Sequence, residues 1–195
     1  MPSTISNQSN PAERLLDSAN ALFDYEGIRA VGIDRLIEHA GVARASLYQH
    51  FGSKDGLVVG YLERADRTDR ANYARATQGL APLDRIRAVF TLATAGARRR
   101  HYRGCLYINA LTEFPDHDHP IRRVVIEHRE WLLDELTRAL EQAGMADPRP
   151  LAARIQLLYD GALIGTKANR DTESIERAAL MVEELIVGQP RADTP

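Results

Sequence analysis

The chain has 195 residues, 44% of them hydrophobic and 27% charged, and a net charge of −2. Those proportions suit a folded protein with a sizeable core and argue against a disordered chain. No stretch reaches the roughly 20 apolar residues that span a bilayer, and the opening Met-Pro-Ser-Thr-Ile-Ser-Asn-Gln-Ser-Asn has neither the basic nor the apolar region of a secretory signal. Cys105 stands alone, so neither an intrachain disulfide nor a thiolate metal cluster can form. A cytoplasmic protein with no metal, no cofactor and no membrane association is expected.

Apolar residues recur at spacings of three and four, which predicts an all-α fold of about nine helices and no strand. After a disordered tail over 1–10, the first helix carries Leu15, Leu16, Ala19, Leu22 and Phe23. A second spans about 33–40 with Ile33, Leu36, Ile37 and Ala40, and a third about 44–50, with breaks at Gly27, Gly41 and Gly52-Ser53. A connector helix over 54–78 follows, with Ser53 as its N-cap and Asp55 suiting its dipole. Leu57, Val58, Tyr61, Leu62 and Ala65 turn inward. Beyond them Asp66, Arg67, Asp69 and Arg70 make its second half read as partly exposed.

The remaining helices cover about 82–100, a short apolar segment through Leu106, Ile108 and Leu111, and a long amphipathic run from Pro120 to Ala143. The last two cover about 149–168 and 172–187, the final one capped by Asp171 or Thr172. Residues 189–195 form a polar tail. The domains are therefore expected at 11–53 and 54–188.

Gly27 to Leu57 has the layout of a helix-turn-helix. Gly41 sits where one short helix must stop and the chain reverse, and Val42 and Leu47 are apolar where the second helix must pack on the first. The other face of that second helix offers Arg44, Ser46, Tyr48, Gln49 and His50, all able to hydrogen-bond to base edges or phosphates in a major groove. Bulk charge gives no help. Through residue 52, Arg14, Arg29, Arg35 and Arg44 face Glu13, Asp17, Asp24, Glu26, Asp34 and Glu38, so a case for DNA rests on where particular side chains point.

The run from Ile33 to Leu57, with its Ala40-Gly41-Val42 turn, Leu47-Tyr48-Gln49-His50-Phe51 and Ser53-Lys54-Asp55-Gly56-Leu57, resembles the DNA-binding signature of the tetracycline-repressor (TetR) family. Leu15 to Phe23 followed by Tyr25-Glu26-Gly27 is similar to that family's first helix. The resemblance covers about residues 12–60. It implies a three-helix DNA-binding domain on a helical ligand-binding and dimerisation domain, acting as a repressor that a small, largely apolar ligand releases from a palindromic operator. Arg44, Ser46 and Gln49 would face bases, with Ala45 on the same surface. Tyr48 and His50 would touch the backbone or edge bases, and Lys54 would hold a phosphate. The family's usual hydroxyls are replaced by Val31-Gly32 and Ala43, which costs each short helix a cap, about 0.5–2 kcal/mol.

The expected homodimer interface is the pair of helices at about 149–168 and 172–187. Gly161 and Gly165 there either admit a partner helix or relieve crowding within one subunit. Pocket candidates are Phe90, Tyr102, Tyr107, Phe114, Trp131 and Tyr159, with Asn109, Thr112, Glu113 and His128 as polar anchors. Cys105 is an inert buried thiol unless Arg103 or the run Arg98-Arg99-Arg100 stabilises its thiolate and makes it a redox sensor. The arginines at 98–103 either lie near the DNA-binding domain or form a solvated helix end. Glu113, Asp116, His117, Asp118 and His119 fit no metal cage. No nucleophile elbow or Gly-rich phosphate loop supports an enzyme.

Overall fold

A computed structural model describes residues 10–99 and 102–191. The expected tail over 1–9, Arg100 of the arginine run and residues 192–195 lie outside them. Among the described residues there are nine α-helices and one isolated bridge, Met145 to Arg191, with no strand. In order they are α1 (Pro11–Glu26), α2 (Ile33–Ala40), α3 (Arg44–Phe51), α4 (Lys54–Thr77), α5 (Pro82–Ala97), α6 (Leu106–Glu113), α7 (Pro120–Gln142), α8 (Pro148–Asn169) and α9 (Glu173–Val187). No helix among these residues is long and apolar enough to cross a membrane.

Local chemistry sets most of the helix ends. Pro occupies the first turn of α1, α5, α7 and α8, where its missing N–H has no intrahelical partner to lose. Ser53 Oγ accepts from Gly56 N at 3.0 Å and starts α4. Thr172 holds the N-cap position of α9, but the capping bond comes from Asp171, whose Oδ1 accepts from Glu173 N at 3.0 Å. Neither α2 nor α3 has a side-chain cap, in keeping with Gly32 and Ala43 at those positions.

Two apolar clusters form the core. The first joins Leu15, Leu22, Phe23, Leu36 and Leu47 of the three N-terminal helices to Leu57, Val58, Tyr61 and Leu62 of α4, and continues into Tyr107, Ala110, Phe114, Ile121 and Val125. The second gathers Ile86, Val89, Phe90, Leu136, Leu140, Leu151, Ile155, Ile175 and Val182 from α5 and α7 to α9. The head, α1 to α3, thus shares one core with α4, α6 and the start of α7. The polar half of α4 also differs from the expectation. Asp66, Asp69 and Tyr73 share a face three and four residues apart and turn in toward α6 and α7, where Tyr73 is buried.

Candidate nucleic-acid interface and the cavity behind it

Gly41 adopts φ +61°, a left-handed conformation that a side chain disfavours, and its N–H returns to the Glu38 and Ile37 carbonyls, so α2 ends and α3 begins within three residues. Leu47 is fully buried and anchors α3 on the core. Gly56 is required for a different reason. A Cβ there would lie 1.9 Å from the Phe51 carbonyl oxygen, so only glycine lets the first turn of α4 pass the end of α3 this closely. Ser18, buried on α1, donates from Oγ to the Leu36 carbonyl at 3.1 Å and ties α1 to α2.

That scaffold leaves Arg44, Ala45, Tyr48, Gln49 and His50 exposed on one short helix, while Ser46 is half-buried. Arg44 is paired with Asp34 of α2, both side chains largely in solvent. Lys54 is half-buried, and its Nζ donates to the Arg29 carbonyl at 3.4 Å. Burial lowers its pKa, with Asp55 and Glu113 opposing the shift.

Behind the head, α1, α4, α5, α6, α7 and α8 enclose a cavity of about 730 Å³, within the range of small-molecule sites. Tyr102, Tyr107, Asn109, His128, Trp131 and Tyr159 line it, together with the apolar Leu92, Ile108, Val125, Leu132 and Leu163. Phe90 and Phe114 do not. Phe90 lies one layer behind, its ring edge-on to Tyr159 at 5.7 Å, and Phe114 is buried in the first core beside His119 with the Arg29 guanidinium over its ring. Apolar spacing marks both as buried and cannot say which buried residues border empty space.

The polar lining is tightly paired. Tyr107 Oη donates to Asp69 at 2.8 Å, and its ring stacks on His128 at 3.7 Å between centroids. His128 Nδ1 donates to Asp66 at 2.7 Å, Tyr61 Oη to Asp24 at 2.6 Å, and Arg129 holds Asp160 with two bonds of 2.8 and 2.6 Å. Burial raises the pKa of Asp24 and Asp69 against the lowering effect of those tyrosine hydroxyls, and lowers that of His128 against Asp66. Burial likewise raises the Cys105 thiol, an effect that the Ile108 and Tyr107 amides only partly offset. Tyr73 Oη is buried on this wall with no hydrogen-bond partner among the described residues. Tyr61, Asp69 and Tyr73 of α4 line the cavity as well, and the sequence reading did not single them out as pocket residues.

The floor of the cavity touches the head directly. Glu113, the last residue of α6, accepts from Ile28 N at 3.1 Å and from Arg29 N at 2.6 Å. Arg103, just before α6, donates to the Tyr25 carbonyl at 2.5 Å. The arginine cluster therefore divides: Arg103 reaches the head, whereas Arg98 pairs with Glu176 of α9.

Residues 15–60 match the family of bacterial regulatory proteins of the tetR type, and residues 82–182 match the tetracyclin repressor-like C-terminal domain. The chain belongs to the TetR family. A TetR-family transcriptional regulator from Streptomyces coelicolor is 39% identical, with 91% of this chain and 95% of that one covered and a TM-score of 0.83. The HTH-type transcriptional repressor NemR of Escherichia coli is 27% identical over 192 residues, covering 89% of this chain and 92% of the relative. The HTH-type transcriptional regulator YjdC of Escherichia coli is 22% identical over 178 residues with the same coverage. In this TetR-family chain the first match takes in most of α1, all of α2 and α3 and the start of α4, and the second runs from the start of α5 into α9.

Proposed function

We propose that this chain is a transcriptional repressor that grips an operator as a homodimer and lets go when a small, largely apolar molecule fills the cavity. The observation that carries the reading is the double attachment of α6. Tyr107 and Asn109 on this short helix line the cavity, while Glu113 at its end holds the backbone of Ile28 and Arg29 in the head. A molecule that shifts α6 must either move the head or break those bonds, which links occupancy to the spacing of two reading heads. Coupling of this kind is typically about 1–3 kcal/mol.

On the DNA side, Arg44, Ala45, Ser46, Tyr48 and Gln49 would enter the major groove, with His50 and Lys54 at its edge. The Arg44–Asp34 pair is solvent-exposed, so Arg44 can exchange Asp34 for a phosphate or a guanine edge at little expense. One α3 reads few base pairs, and a two-fold dimer presenting two copies about 34–36 Å apart would supply the rest. Leu157 and Ile164 on α8 and Leu180, Met181 and Val187 on α9 are large apolar residues left in solvent, Val187 at 86% exposure, and they suit a partner copy. A regulator of this kind works on chromosomal DNA, which places it in the cytoplasm.

The test is selection of purified protein on a library of genomic fragments at two salt concentrations. A recovered palindrome whose affinity falls steeply with salt supports the reading. The double variant Arg44→Ala with Tyr48→Ala should lose that operator at least about a hundredfold while remaining a folded dimer. Undiminished binding by that variant would remove α3 from the interface.

A further inference from the structure

Beside the chamber lies an open cleft between the end of α5, the segment entering α6 and the C-terminal end of α8. Tyr25, Arg99, Tyr102, Arg103 and Lys167 belong to both walls, so the two spaces communicate. Among the described residues the charged lining of the cleft is five cations, Arg98, Arg99, Arg103, Lys167 and Arg170, against Asp171. Three of the cations are spoken for. Arg98 pairs with Glu176 at 3.4 Å, Arg103 donates to the Tyr25 carbonyl, and Lys167 Nζ donates to Asn109 Oδ1 at 2.6 Å. Lys167 is also fixed in place, because its stem lies against Gly104, where a Cβ would come within 2.6 Å of the Lys167 Cδ.

Arg99 and Arg170 are exposed residues that form no direct ion pair among the described residues, and Arg99 is close enough to Asp24 and Asp69 for its charge to oppose the rise of their pKa values. The Thr166 hydroxyl on the same cleft is buried, at 2% residue exposure, and it too has no hydrogen-bond partner among the described residues. A cleft with unpaired guanidinium forks, a fixed ammonium and an unused hydroxyl is built for a carboxylate or phosphate.

Deeper in, the chamber offers the opposite chemistry. Its walls are mainly aromatic and aliphatic, and its carboxylates Asp24 and Asp69, each held by a tyrosine hydroxyl, disfavour an anion there. We infer that the effector is an anionic amphiphile, its apolar body in the chamber and its carboxylate or phosphate in the cleft at Arg99 and Arg170. This inference rests on the effector reading above and adds the charge and orientation of the molecule.

Trp131 is the chain's one tryptophan and lines the chamber, so its fluorescence reports occupancy. Titrations with nonanoate, octyl phosphate, octan-1-ol and octylammonium share one octyl tail and vary only the head. The two anions should bind at least about tenfold more tightly than octanol, with octylammonium weakest. Whichever anion binds better identifies carboxylate or phosphate as the preferred head. The exposed-site double variant Arg99→Gln with Arg170→Gln should bring both anions down to the affinity of octanol. Equal binding of octanol and nonanoate, tighter binding of octylammonium, or an undiminished anion preference in the variant overturns the inference and leaves the effector reading standing. Failure of all four to bind overturns both.

Discussion

Glu113 stands 84 residues from Arg29 in the chain, yet its Oε2 accepts the Arg29 backbone N–H at 2.6 Å while its Oε1 takes Ile28 N at 3.1 Å. A carboxylate on two adjacent amides is a stronger joint than a neutral pair. The joint also gathers its neighbours. Lys54 donates to the Arg29 carbonyl, and Arg29 lies over the Phe114 ring at 5.2 Å. Close by, His119 Nδ1 accepts from Ile121 N and its Nε2 faces Asp55 at 3.4 Å. The end of α6, the start of α7, the start of α4 and the loop after α1 are therefore fastened at one place.

Replacing Glu113 by Ala should loosen that joint. Bonds to a charged acceptor at a partly exposed site contribute in all about 1–2 kcal/mol here, a fall in Tm of roughly 3–6 °C for a chain of this length. The local signature is sharper than the global one. Amide hydrogen exchange at Ile28 and Arg29 should accelerate while that at Leu15 and Leu36 does not. Unchanged exchange at both amides would mean that the carboxylate does not hold the head.

The His128 and Asp66 pair gives a pH dependence with a definite sign. Burial lowers the His128 pKa more than its bond to Asp66 and the nearby Asp69 raise it, with Arg70 adding to the lowering. Below the ordinary histidine value of 6.5 the unfolded chain then binds a proton that the folded chain resists. Stability from this residue is complete above that value and declines as pH falls toward the lowered folded value. Denaturant melts of the wild type and His128→Gln should diverge below about pH 6.5, with the wild type losing more. A wild type that gains on the variant as acid is added would show that Asp66 outweighs burial.

The helices and the head were legible in the sequence because each rests on a short-range rule. Spacings of three and four marked the buried faces, Gly41 marked the reversal, and Ser53 and Pro120 marked helix starts. Selection of the cavity residues was not legible to the same degree. Phe90 and Tyr159 have the same periodicity and touch each other, yet only Tyr159 borders the open space. Asp66, Asp69 and Tyr73 lie in a segment whose composition suggests solvent, and pairing with His128 and Tyr107 from distant helices is what turns them inward. Long-range partners of this sort leave no trace in local spacing. The same holds for Glu113, which looked like a pocket anchor and also holds the backbone of the head.

Cys105 should behave as an inert thiol. It holds the N-cap position of α6 on the cavity wall, and burial pushes its pKa up, so little thiolate exists near neutral pH. Alkylation by iodoacetamide at neutral pH should run at least about tenfold slower than that of free glutathione and reach the free rate once the chain is denatured. Reaction as fast as glutathione in the native protein would mean that nearby arginines stabilise the thiolate after all.

Gly161 and Gly165 separate two demands that spacing alone runs together. A Cβ on Gly165 would sit 2.9 Å from Ser174 Cβ and 2.5 Å from its Oγ, so this glycine lets α9 pack on α8 within one subunit. A Cβ on Gly161 would meet nothing within 4 Å, and Gly161 lies between the exposed Leu157 and Ile164 on the outer face of α8. Gly165→Ala should therefore destabilise every subunit by about 1–3 kcal/mol through overpacking, exceeding the helix-propensity gain of about 1 kcal/mol. Gly161→Leu should leave the thermal stability of the isolated subunit intact, since leucine is the better helix former at an exposed site, yet weaken the dimer by holding the partner helix away. Sedimentation velocity across a dilution series reads that difference. If Gly161→Leu dimerises as tightly as the wild type, the outer face of α8 around Gly161 is not where two copies meet, and the exposed apolar residues of α9 would have to carry the contact alone.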